Sequence, residues 1–176
     1  MTTEYLLNKE LEHVLAALVP QNRLIMRVVL HTGMRISDCL SLRTSDLKPS
    51  GWYIEAKTGK RRRYGLPGVL LSQIRAQAGP EWAFPGRKPG THKTRQAVWW
   101  DLKRAQRAFR LPQNVGTHSA RKIYAVRLMR KYGDLKRVQR ALNHSSPGVT
   151  SVYAMADMLL ERRVQARGKR RGGSAL

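Results

Sequence analysis

Apolar residues recur at helical spacing along almost the whole chain, and the period changes only once, around residues 52–66. That single change is the tightest constraint on the fold, because it allows one small sheet inside an otherwise helical body. Asn8 can cap a helix from Lys9 to about Val19, with Leu11, Val14, Leu15 and Leu18 on one face, and Pro20 ends it. A second helix, Asn22 to His31, carries Leu24, Ile25, Val28 and Val29; Gly33 breaks it, and a short helix follows over Ile36–Leu42. Trp52–Ile54 and Arg63–Leu66 are strand candidates joined by the turn-like KTGKRR. Pro67 opens a helix to about Ala78, and the Gly- and Pro-rich residues 79–94 form a loop. Further helices are expected over Arg95–Phe109, His118–Lys131, Leu135–Leu142 and, after NHSSPG, around Val149–Met155. The segment from Asp157 starts helical and ends in RGKRRGGSAL, a stretch expected to fray. The expected class is therefore mostly α with a small antiparallel β-sheet (α+β), without an internal repeat or a clear linker.

Length and charge narrow the function classes. With 176 residues and 41% hydrophobic content the chain suits one compact domain with a real core. Thirty-four Lys and Arg against eleven acids leave +23, which favours a polyanionic partner, and nucleic acid is the commonest. Charge alone does not separate an enzyme from a ribosomal or histone-like coating protein, and by itself favours the coating protein. The single Cys39 excludes an internal disulfide and a Cys-rich zinc site. No signal segment opens the chain and no apolar run approaches the ~18 residues of a membrane span, so a cytoplasmic setting without membrane contact is expected.

Four separated segments hold polar residues that secondary structure does not require. In TGMRISD, Arg35 follows a glycine break and opens a helix, where the dipole opposes a cation unless an anion lies there. AKTGKRR places Lys57 at a hairpin tip, THSARK puts His118 and Arg121 on one helical face, and LNHSSPGVTSVY sets His144 nine residues before Tyr153. Each has an ordinary explanation by itself. Arg35 could pair with Asp38 or Asp46, Lys57 could be solvated, His144 could cap a helix, and Tyr153 could be a half-buried core residue. Their joint occurrence in this order carries the weight.

In that order the chain resembles the tyrosine recombinase (phage integrase) family, whose pattern is Arg, Lys, His-x-x-Arg, His or Trp, then Tyr. TGMRISDCLSLRTSDL looks like the family's first arginine box and KTGKRRRYGLP like its lysine hairpin. EWAFPGRKPG looks like its middle loop and VQRALNHSSPGVTSVYA like its C-terminal box, so the resemblance covers about residues 3–165. Two neighbouring positions depart from the pattern, Lys122 for a frequent His and Asn143 for the usual Gly.

The resemblance implies the catalytic-domain fold over residues 1–165, a basic tail over 166–176, and no N-terminal core-binding domain. Small fimbrial-switch invertases share that layout, as does an excised catalytic domain. It also implies DNA transesterification without metal or cofactor. Tyr153 is the nucleophile, Arg35 and Arg121 bind the phosphate, and His118 is the base. Lys57 is the acid, with Lys60 as substitute if the hairpin register differs, and His144 hydrogen-bonds the phosphate. Lys60, Arg61, Arg62, Arg63, Lys93 and Arg95 are the expected DNA-backbone contacts. The partner is double-stranded DNA, on which the chain forms a homo-oligomer (a tetramer), while being a monomer or weak oligomer when free. An accessory DNA-bending or clamp protein is a further expected partner. A type IB topoisomerase-like nicking and closing enzyme and a non-catalytic DNA-binding regulator remain alternatives. Trp82, Trp99 and Trp100 are expected in the core rather than as base-stacking platforms.

Overall fold

The computed structural model describes residues 8–142. These residues divide into two compact units, with the division between Tyr124 and Ala125. In the first, helices α1 (Asn8–Ala17), α2 (Pro20–Thr32) and α3 (Ile36–Leu40) precede a hairpin of β1 (Ser50–Ile54) and β2 (Arg61–Gly65). Helices α4 (Gly68–Gln77), α5 (Arg95–Ala108) and α6 (Thr117–Tyr132) follow, and the division falls inside α6. Helix α7 (Leu135–Leu142) lies in the second unit.

The core forms where helical spacing lines up apolar side chains. Leu11, Val14, Leu15 and Leu18 are all buried, as their i, i+3, i+4, i+7 spacing requires. From α2 come Ile25, Met26, Val28 and Val29, and from α5 come Val98, Leu102 and Ala105. Cys39 lies fully inside this core, where burial pushes its thiol far up, so it is an inert packing group. Pro20 does not merely end α1; it is the first residue of α2, where its missing N–H costs nothing.

The hairpin is antiparallel, pairing Trp52 with Arg63, Tyr53 with Arg62 and Ile54 with Arg61. Strand periodicity separates its faces: Trp52, Ile54, Arg61 and Arg63 are exposed, while Tyr53, Arg62 and Tyr64 turn inward. The Tyr64 hydroxyl donates to the carbonyl of Asp46, pinning this inner face to the preceding turn. Residues 79–94 are an ordered loop, with bridges Arg43–Trp82 and Pro85–His92 and the Lys93 N–H donating to the Phe84 carbonyl at 2.8 Å.

Trp99 and Trp100 depart from the core expectation. They are exposed, because adjacent helical residues point about 100° apart and the buried stripe of α5 runs through Val98, Asp101, Leu102 and Ala105. Trp82 is half-buried under the Arg43 guanidinium, 3.9 Å from the ring centroid.

In the second unit, Gly133 takes a positive φ of 63° at the end of α6. Asp134 caps α7, its carboxylate accepting from the N–H groups of Lys136 and Arg137. Val138 and Leu142 are its buried residues.

Candidate active site

Gly33 creates the first corner of the site. Its φ of 68° ends α2 with an N–H···O bond to Val29, and a Cβ there would stand 2.4 Å from the Tyr124 ring. The chain thus turns sharply before Arg35, which precedes α3 in an extended conformation. The second corner is the β1–β2 turn. Glu55 accepts from the N–H groups of Thr58 and Gly59 and donates its own N–H to Lys60 at 3.0 Å. Gly59 supplies the positive φ that closes this turn. Lys57 stands exposed within it, as does Lys60 at its end.

Arg35 pairs with neither Asp38 nor Asp46. Its Nη1 lies 2.6 Å from Glu55 Oε1, and Arg62 Nη1 donates to the same oxygen at 3.0 Å. Glu55 is fully buried, and the side chains of Arg35 and Arg62 are only 17% and 13% exposed. Arg62 therefore differs from its neighbours Arg61 and Arg63, which face solvent. Asp38 is buried beside this group, taking the Ala56 N–H on Oδ1 at 3.0 Å. Burial pushes its carboxyl above the usual range, and Glu55 adds to that rise against the pull of the Ala56 N–H, Arg35 and Arg121.

The other side comes from the first turns of α6. Arg121 is 6% exposed, and its Nη1 donates to the carbonyl of Gly33 at 2.5 Å. Burial, followed by repulsion from Arg35 and Arg62, brings its pKa down to about 10, so the guanidinium stays charged at neutral pH. His118 lies one turn earlier with its ring reaching solvent. Crowding by protein atoms lowers its pKa, and Arg121, Arg95, Lys122 and Arg35 act in the same direction. The imidazole is thus neutral at pH 7 and able to accept a proton.

Arg121 reaches the carbonyl of Gly33, two residues before Arg35, and His118 lies one turn before Arg121 on α6; the charge of Arg95, at the start of α5, adds to the lowering of the His118 pKa. Lys93 is half-buried just before the Thr94 cap of that helix. His144, Tyr153, the expected helix around 149–155 and the tail lie outside the described residues. Sequence reasoning missed Glu55. The available signal was an acidic residue in a strongly basic hairpin, in a chain with only eleven acids. Among the described residues, no three His, Cys, Asp or Glu side chains gather as metal ligands would. Among the same residues no helix is long and apolar enough to cross a membrane.

Residues 4–159 match the sequence profile described as the phage integrase family. The chain belongs to that family. Among its relatives is the tyrosine recombinase XerD of Rhizobium meliloti, 31% identical over 140 residues, which cover 73% of this chain and 45% of XerD. The fold is that of the tyrosine recombinase catalytic domains. XerH recombinase in a post-cleavage complex with its palindromic difH substrate aligns with a TM-score of 0.70 at 24% identity, over 93% of this chain and 53% of XerH. A lambda integrase dimer bound to a COC′ core site gives 0.73 at 20% identity, over 88% and 49%. This phage integrase family chain spans about half the length of these relatives.

Proposed function

We propose that this chain cuts and rejoins double-stranded DNA as a site-specific recombinase, through a 3′-phosphotyrosine on Tyr153. The observation that best supports the reading is the pairing of Arg35 and Arg62 with the buried Glu55, with Arg121 reaching the Gly33 carbonyl two residues before Arg35 and a histidine held neutral one turn before it. Forked guanidiniums are suited to the non-bridging oxygens of a phosphodiester, where charge grows in the transition state. The Tyr153 phenol oxygen attacks phosphorus as His118 takes its proton. The bond to the 5′-oxygen breaks, and that oxygen takes a proton from Lys57. The phosphotyrosine conserves the phosphodiester energy, so the free 5′-hydroxyl of the new strand reverses the step without a nucleotide cofactor. His144 hydrogen-bonds the phosphate.

Lys60, Arg61, Arg63, Lys93 and Arg95 are assigned to the DNA backbone, while Arg62 belongs with the phosphate-binding group. The active assembly is a tetramer on DNA, joined by an accessory bending or clamp protein. The proposed setting is the cytoplasm of a prokaryotic host, on its own DNA or that of a mobile element.

Covalent trapping tests the reading. The wild-type chain and Tyr153→Phe are incubated in EDTA with nicked suicide substrates that carry the source element's own ends. An adduct on denaturing gels that disappears in Tyr153→Phe is expected. No adduct on any of these DNAs, or one that survives the substitution, overturns it. Joining of two separate duplexes, rather than relaxation alone, distinguishes a recombinase from a nicking and closing enzyme.

A further inference from the structure

We infer that Glu55 is a positioning residue for this chemistry, gathering Arg35 and Arg62 beside Arg121 so that three guanidiniums rather than two stand ready for one phosphate. The inference rests on the phosphoryl-transfer reading above. Three guanidiniums with side chains this poorly exposed repel one another, and burial strengthens that repulsion by excluding water. The depressed pKa of Arg121, caused after burial by Arg35 and then Arg62, is the mark of that repulsion. A buried counter-charge is what makes the cluster tolerable before DNA arrives. Glu55 supplies it: Oε1 faces Arg35 and Arg62, and Oε2 accepts the Thr58 hydroxyl at 2.7 Å.

Glu55 also has a backbone role that a free counter-ion would lack. Its carbonyl takes the Thr58 and Gly59 N–H groups, so the residue that seats Arg35 and Arg62 also anchors the turn carrying Lys57. The phosphate-binding and proton-donating parts of the proposed site are thereby joined through one residue.

The test uses Glu55→Gln, which keeps the shape and an oxygen for Thr58 but removes the charge, and Glu55→Asp, which keeps the charge on a shorter stem. Adduct formation is measured in single turnover at saturating suicide substrate, with DNA affinity and melting temperature measured separately. The saturating rate of Glu55→Gln is expected to fall about 30-fold or more, with DNA affinity unchanged or tighter and with Glu55→Asp recovering part of the loss. A folded Glu55→Gln whose saturating rate stays within about twofold of wild type overturns the inference, as does a loss that appears wholly as weaker DNA binding. Should Glu55→Gln not fold, the wild-type chain still decides: its Arg35 and Arg62 Nη–H signals must be protected from exchange in DNA-free protein, and unprotected signals overturn the inference. The wild-type adduct is the separate control on the recombinase reading, because the exchange measurement needs no cleavage.

Discussion

Glu55 and Asp101 are both buried carboxylates that receive a guanidinium, yet their surroundings differ in kind. Asp101 accepts from the Asn22 amide at 2.8 Å, from the Val19 N–H at 2.9 Å, and from Arg104 on its own helix. Two of those donors are neutral and the cation is 57% exposed, so water screens it. Glu55 faces two cations from separate parts of the chain, both largely withdrawn from solvent. The first arrangement ties the start of α2 to α5 and leaves little charge over. The second draws two withdrawn guanidiniums onto one carboxylate, an arrangement suited to holding them in place for an incoming anion.

The comparison is broken most directly by removing a cation. Arg121→Ala is expected to slow single-turnover adduct formation by ~10²–10³-fold, the range seen when one preorganised donor to a developing oxyanion is lost. DNA binding should change much less, since many other basic residues contribute to it. Normal cleavage in a folded Arg121→Ala would place this cluster in the same structural class as Asp101.

Asp101→Asn should do the reverse. Its amide presents protons to donors that need an acceptor, and the loss of stability is expected to be ~1–3 kcal/mol by urea titration, with adduct formation nearly unchanged at low temperature. The pH dependence has a definite sign. Burial alone would raise the Asp101 carboxyl, but bonds from Asn22, Arg104 and Val19 outweigh it and hold the folded-state pKa below its ordinary value. The stabilisation is therefore present above about pH 4 and lost as pH falls through the lower, folded-state value. Asp101→Asn should lack that acid-side loss.

Much of this was legible in the sequence, and the parts that were not have physical reasons. The elements and the TGMR, KTG and HxxR segments are local patterns, and local spacing sets their helices, glycine turn and hairpin. Glu55 was illegible because its importance lies in contacts with Arg35, twenty residues earlier, and with Arg62 across the hairpin, pairings that no local period encodes. Arg62 was partly legible. Three consecutive arginines in a strand cannot all face DNA from one side, and alternation alone separates Arg62 from Arg61 and Arg63. The Trp99–Trp100 pair carries a similar lesson for helices, where the buried stripe of α5 takes Val98, Asp101 and Leu102 and leaves both tryptophans outside it.

His118 sharpens the contrast through protons. A base beside this cationic cluster should stay neutral to lower pH than a free histidine, in keeping with its depressed pKa. The adduct-forming rate is expected to remain level down through pH ~6.5 and then fall tenfold per unit as His118 protonates. A fall that begins above that value would assign the limiting proton transfer elsewhere. Replacing His118 with Gln should flatten this acid limb as well as lower the rate.

The smallest effect separates two exposed arginines of α5. Arg95, at its start, lies close enough to His118 to depress its pKa, whereas Arg104 donates to Asp101 and to the Ala17 carbonyl at 2.6 Å. A phosphate contact by Arg95 releases a counter-ion on binding, so Arg95→Ala should reduce the slope of log affinity against log salt by about 1. Arg104→Ala should leave that slope unchanged and lower the melting temperature instead, because its guanidinium is engaged by the protein itself. If Arg104 changes the slope and Arg95 does not, the DNA runs along the opposite end of α5, and the pairing of Asp101 with Arg104 then has to be re-read as part of the DNA-binding surface. If both change it, the whole exposed face of α5, Trp99 and Trp100 included, lies against the duplex.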